Sequence, residues 1–271
     1  MNPVRPGCSA LLALPALLFL AAPPPARAET IAATYTVQAV GMTVMELNAT
    51  LDITDAGYTV EFRTRTRGMA AAFSSGNLVT RVEGVWEGDR ARPRRYVSEG
   101  TWRGEPRRTV IEWPGNQPVI RAMVPPNDTE RETVPDEARR NTVDNLSAVA
   151  QLVRQARRTG KCDGAVRAFD GRRLSETAAQ TRGQERFAPA RDEWSGTALR
   201  CDFEGRFLAG FRKGEDVEAA RRPQNGTAWL GEAAPGQPLI PVRVETVSRW
   251  FGTISARLAS LGPPGQARAV N

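Results

Sequence analysis

The chain has 271 residues, no histidine, three cysteines and a formal net charge of +7, from 37 basic and 30 acidic residues. Without histidine there is no Ser-His-Asp or Cys-His couple and no HExxH zinc site, so the commonest hydrolytic and metal chemistries are closed to it. The basic surplus suits anionic phospholipid heads, lipopolysaccharide phosphates or acidic glycans, although a surplus this small is more simply a solvated arginine-rich surface.

Residues 1–28 read as a cleaved secretory leader: Arg5, an apolar run from Ala10 to Ala22, then a proline-rich approach to Ala26-Arg27-Ala28. Cleavage is expected before Glu29. Pro15 and Pro23 interrupt a run that falls short of the ~20 apolar residues needed to span a bilayer, so a retained anchor is the weaker reading. Cys8 leaves with the leader, and nothing after it looks transmembrane. These features predict a periplasmic protein that meets no nucleic acid. Residues 29–261 are expected to form a single β-rich domain, and 262–271 a flexible tail.

From Met45 to Ile53 every second residue is apolar, with Glu46, Asn48, Thr50 and Asp52 between, the pattern of a strand with one dry face. Asp55-Ala56-Gly57 predicts a turn, and Tyr58 to Arg67 returns with Val60 and Phe62 on one face, completing a hairpin. The alternation recurs through Leu78, Thr80, Val82, Gly84 and Trp86, around Ile111 and Trp113, and through Leu199, Cys201 and Phe203. It returns through Val242, Val244 and Thr246 and through Ile254, Ala256 and Leu258. Pro125 to Asp128 and the stretch from Glu215 to Pro241 read as long loops.

One helix is available to cover these faces. Between Asp144 and Arg158, Leu146, Val149, Ala150 and Val153 follow helical spacing. Thr142 or Asp144 can cap its start, Arg154, Arg157 and Arg158 complement the dipole at its end, and Gly160 stops it. The predicted fold is therefore mainly β with one packed helix, a curved antiparallel sheet or half-barrel cradling that helix.

Cys162 sits at the start of the strand after the helix and Cys201 lies in a later strand. In an oxidising compartment a structural disulfide between them is favoured over reactive thiols or two unpaired buried cysteines.

The sequence contains no GxSxG elbow, SxxK or phosphate-cradling glycine loop, and neither Lys161 nor Lys213, the only lysines, has a serine at catalytic spacing. Asp144, Asp163, Asp170 and Asp202 are the acids that would have to converge for carboxylate chemistry. Asp144 is more simply a helix cap than a catalytic acid, Ser147 a polar partner of the helix start, and Asp170-Gly171 a hairpin turn. Trp86, Trp102, Trp113, Trp194, Trp229 and Trp250 supply either core, the commoner use, or the wall of a lipophilic groove. No catalytic, cofactor or metal site is expected.

Tyr35 with Val40-Gly41, Asp144-Asn145-Leu146-Ser147-Ala148, Phe169-Asp170-Gly171-Arg172-Arg173, Cys201, Gly210-Phe211 and Pro241-Val242-Arg243, in that order, resemble the exported bacterial family called domain of unknown function 3108. Asn145 stands where that family's helix-opening motif has proline. The resemblance implies an envelope-associated protein with no activity to carry over, and an architecture similar to the half-barrels of periplasmic lipoprotein carriers. The function expected is non-enzymatic: a concave β face holding a lipid or other hydrophobic ligand in a pocket lined by Met, Leu, Phe and Trp. The alternative is a structural or assembly protein that contacts other envelope components through its surface.

Overall fold

The computed structural model describes residues 30–191, 193–248, 252–262 and 268–269. The predicted leader at 1–28 and Trp250 lie outside the described residues. The strands run β1 (Ile31–Ala39), β2 (Met42–Ile53), β3 (Gly57–Thr66), β4 (Gly76–Glu87), β5 (Arg90–Trp102), β6 (Glu105–Glu112) and β7 (Val119–Val124). They continue as β8 (Gly164–Phe169), β9 (Leu174–Phe187), β10 (Gly196–Ala209), β11 (Gln224–Glu232), β12 (Leu239–Ser248), β13 (Gly252–Leu261) and β14 (Arg268–Ala269). Among the described residues four α-helices interrupt them: α1 (Gly68–Phe73), α2 (Asp136–Arg139), α3 (Asn145–Thr159) and α4 (Val217–Arg221).

The strands form one antiparallel curved sheet in the order β7-β6-β5-β4-β3-β2-β1-β13-β12-β11-β10-β9-β8, with β14 paired to β13. The predicted β half-barrel around a helix is what the chain builds. β1 pairs with β13, so the beginning and end of the domain meet in the middle of the sheet and its two free edges, β7 and β8, come from mid-chain. Among the described residues no strand ladder joins those edges. The segment between them spans the gap, with Val143 bridged in parallel to Ala168 on β8 and Trp113 Nε1 donating to the Thr142 carbonyl.

The period-two faces survive in register. Leu47, Ala49 and Leu51 stand opposite Tyr35, Ala33 and Ile31 on one side, and Ala49 and Leu51 opposite Phe62 and Val60 on the other. Val60, Val82 and Ile111 are wholly buried on this concave face. α3 lies within the curve and packs on β2 to β5, β8 and β12. Leu146, Ala150, Val153 and Ala156 form its buried stripe. Val149, predicted in that stripe, is only half-buried because it sits on the flank. Asp144 is the cap, and Thr142 instead donates its hydroxyl to the Arg139 carbonyl. Gly160, at φ 65°, supplies the left-handed stop.

The stretch from Glu215 to Pro241 is not a loop: it contains α4, all of β11 and the start of β12. The glycines that suggest a loop serve close approach of rings. A methyl group on Gly226 would fall 2.3 Å from Phe203 Cζ, and one on Gly231 2.6 Å from Trp194 Cζ2. Within the predicted tail, Arg268 and Ala269 pair with Leu261 and Ser260.

Candidate functional site

The concave face is not completely filled. A cavity of about 430 Å³ lies between the flank of α3 and the inner face of β8 to β12. Its wall is apolar: Val149 and Leu152 from the helix, Val166 from β8, Phe203 from β10 and Val244 from β12, interleaved with alanines such as Ala179. Side chains this short keep the space open. Asp89, Arg90, Gln155 and Asp163 give its mouth a polar border. No methionine or tryptophan lines it, contrary to the pocket expected from the sequence. Trp113 and Trp229 are buried in the core, and Trp86 packs against it.

Cys162 and Cys201 form a disulfide that is part of this wall, and both residues are buried. The bond ties the end of the α3 segment to the middle of β10.

At the other end of α3 is a buried polar chain. Asp144 Oδ1 accepts from the Leu146 and Ser147 N–H groups at 2.9 and 3.0 Å, and Oδ2 accepts from the Ser147 hydroxyl at 2.5 Å. The Tyr58 hydroxyl then donates to Ser147 Oγ at 2.7 Å. Burial raises the Asp144 carboxyl above its ordinary range, against the opposing pull of the Ser147 hydrogen bonds. Burial likewise pushes Tyr58 upward. Asp144 and Ser147 are fully buried, so Ser147 is a locked link between cap and sheet rather than an exposed nucleophile.

The remaining acids lie in different places. Asp163 accepts from Thr181, Asp170 from the Arg172 and Arg173 N–H groups within its own turn, and Asp202 from Arg200 and Thr227. Among the described residues no group of three or more acids and cysteines is placed to hold a metal ion. No described helix is long and apolar enough to cross a membrane.

The 170–173 turn docks across the open seam of the sheet. Arg172 donates to the carbonyls of Val124 and Pro125 at 3.2 and 2.9 Å, fastening the β8–β9 turn to the end of β7. Gly171 has φ 92°, and a methyl group there would lie 2.7 Å from Thr109 Cγ2 and 3.0 Å from Met123 Cε. Gly210 abuts the Arg172 backbone from the other side, and Arg131 donates to its carbonyl. Elsewhere the Tyr35 hydroxyl donates to the Pro241 carbonyl at 2.8 Å, and Gly41, at φ 74°, closes the β1–β2 turn. Gly171→Ala is expected to destabilise the fold by about 2 kcal/mol, because it adds both a strained φ and a contact in the seam. Urea unfolding of the two proteins checks it; equal midpoints would mean the turn is free to move off β6 and β7.

The motif residues thus fall at the helix cap, the seam, the β1–β2 turn, the Tyr35–Pro241 contact and the disulfide, and the model of a protein family of unknown function, DUF3108, matches residues 30–259. The chain belongs to the DUF3108 family. Comparison with curated proteins returns no match. Among solved structures this DUF3108 member is similar to the crystal structure of a beta-barrel-like protein of domain of unknown function DUF1849 from Brucella abortus. The two share 13% identity at a TM-score of 0.53, over 87% of this chain and 98% of that one. That likeness shows the fold alone.

Proposed function

We propose that this DUF3108 protein is a non-enzymatic periplasmic protein that holds a lipid or another hydrophobic molecule in the cavity beside α3. One observation carries the reading: an apolar-walled space of about 430 Å³ persists within a β body whose remaining concave face is closely packed. A concave, mainly apolar site of a few hundred Å³ with a few polar groups at its mouth is the usual form of a small-molecule pocket. The disulfide in its wall and the leader-like residues 1–28 support an exported location.

The test is native mass spectrometry of the gently purified protein, solvent extraction of whatever it carries, and titration with an environment-sensitive apolar dye. A bound apolar species and saturable dye binding are expected. Ala179→Phe, which places a ring in the space, is expected to weaken dye binding at least tenfold while moving the unfolding midpoint by only a few degrees. Absence of cargo together with unchanged dye binding in the variant would defeat the reading.

A further inference from the structure

The end of the sheet away from the cavity mouth carries exposed apolar side chains. Six large hydrophobic residues are exposed among the described ones: Val40, Met42, Met69, Phe73, Val124 and Val247. All but Val124 cluster at a single rim. Val40 and Met42 belong to the β1–β2 turn, and α1, carrying Met69 and Phe73, follows β3 and packs on β2. The Arg67 N–H donates to the Val44 carbonyl and fixes that approach. Val247 is at the end of β12, whose partner β13 lies beside the end of β1.

Two details set these residues apart from the rest of the surface. α1 buries none of its six residues, and Met69 and Phe73, spaced i and i+4, share one face at 69% and 80% exposure. Val40 is 70% exposed with φ 51°, a left-handed conformation that a β-branched residue adopts only under strain. A two-residue hairpin turn ending in glycine favours asparagine at that position. A hydrophobe is therefore held outward where local backbone preference opposes it.

Beside Val40, Met69 and Phe73 stand Arg65, Arg67 and Arg103 with Glu46 and Glu105; Glu46 is ion-paired with Arg67 and stands opposite Arg65 across β2 and β3, so this side of the rim carries one more cation than anions. Arg103 projects from the β5–β6 turn beside Ser74, at the end of α1. We propose that this rim docks the protein onto an anionic phospholipid surface, with Val40, Met69 and Phe73 entering the acyl boundary and the flanking arginines meeting the head groups. Apolar side chains on separate protrusions, backed by cations, suit a yielding interface better than a flat protein face. Docking in this way leaves the mouth at Asp89 and Asp163 facing away from the membrane, and the inference does not depend on what fills the cavity.

The experiment is co-sedimentation of the protein, in the form the cell processes it to, with vesicles of phosphatidylglycerol and phosphatidylethanolamine and with vesicles of phosphatidylcholine alone. Binding to the anionic vesicles that weakens with salt is expected, and Met69→Ser with Phe73→Ser should lower it at least tenfold. Val40→Asn should weaken binding several-fold yet raise the unfolding midpoint, a combination that a purely structural role for Val40 would not produce. Three results would overturn the proposal: no binding to anionic vesicles at low salt, equal binding to both vesicle types, or variants that bind as the parent does. Loss of a concentration-dependent dimer in the variants, without vesicle binding by the parent, would assign the rim to a second copy instead.

Discussion

Replacing both Cys162 and Cys201 by alanine is expected to lower the unfolding free energy by about 4 kcal/mol. The bond closes a loop of 39 residues, and the chain-entropy model assigns roughly that stabilisation to a loop of this length. Domains are commonly stable by only ~5–15 kcal/mol, so the loss is a large fraction of the whole. For a body of this size it corresponds to a fall of roughly 10 °C in the unfolding midpoint. Both residues also line the cavity, and the bond holds the segment after α3 against β10. Dye affinity is therefore expected to drop with stability, and reductant should bring the parent protein toward the variant. Calorimetry with and without reductant checks both statements. A midpoint unchanged in the double variant would mean that the packing of Val153, Ala156 and Leu230 around the sulfurs fixes the junction unaided.

The parts of this fold legible in the sequence are those written in a local period. Met45 to Ile53 alternates long enough to identify β2, and Leu146, Ala150 and Val153 identify α3 because one turn of helix repeats over one face. β5 was hidden because its outward positions carry arginines such as Arg92 and Arg95, which pair with Glu87 and Glu112 rather than break the strand. β9 was hidden because Leu174 is the one residue in it that is buried, and β11 because its glycines accommodate rings from Phe203 and Trp194. The seam could not be read at all. Arg172 finds its carbonyl partners 47 and 48 residues away, and nothing local at Val124 or Pro125 announces that contact. The cavity was legible only in outline, as more apolar strand face than one helix can cover. Its actual wall depends on alanines, and missing side-chain volume leaves no periodic signature.

Asp144→Ala is expected to cost about 3 kcal/mol, and Asp144→Asn much less, near 1 kcal/mol. The alanine variant removes the helix cap, worth ~1 kcal/mol, and leaves the Leu146 and Ser147 N–H groups and the Ser147 hydroxyl buried without their acceptor, at ~1–3 kcal/mol more. Asparagine keeps an oxygen for the two backbone donors, and its amide can donate to Ser147 Oγ, which has lone pairs for both it and Tyr58. The two variants also differ from the parent in pH response. Burial raises the Asp144 carboxyl in the folded state above its value in the unfolded chain. At pH below the unfolded value both states are protonated and the site's contribution to stability is fully present. As pH rises between the two values the unfolded state ionises first, binds fewer protons than the folded state, and stability is lost until the folded carboxyl itself ionises. Asp144→Asn cannot titrate, so the stability difference between parent and Asn variant should move in favour of Asn as pH increases through that window. Urea unfolding of both proteins across the acidic to neutral range reads this difference directly. A difference that stays flat would mean the three donors around Asp144 compensate its burial, and one that moves in favour of the parent would mean they outweigh it.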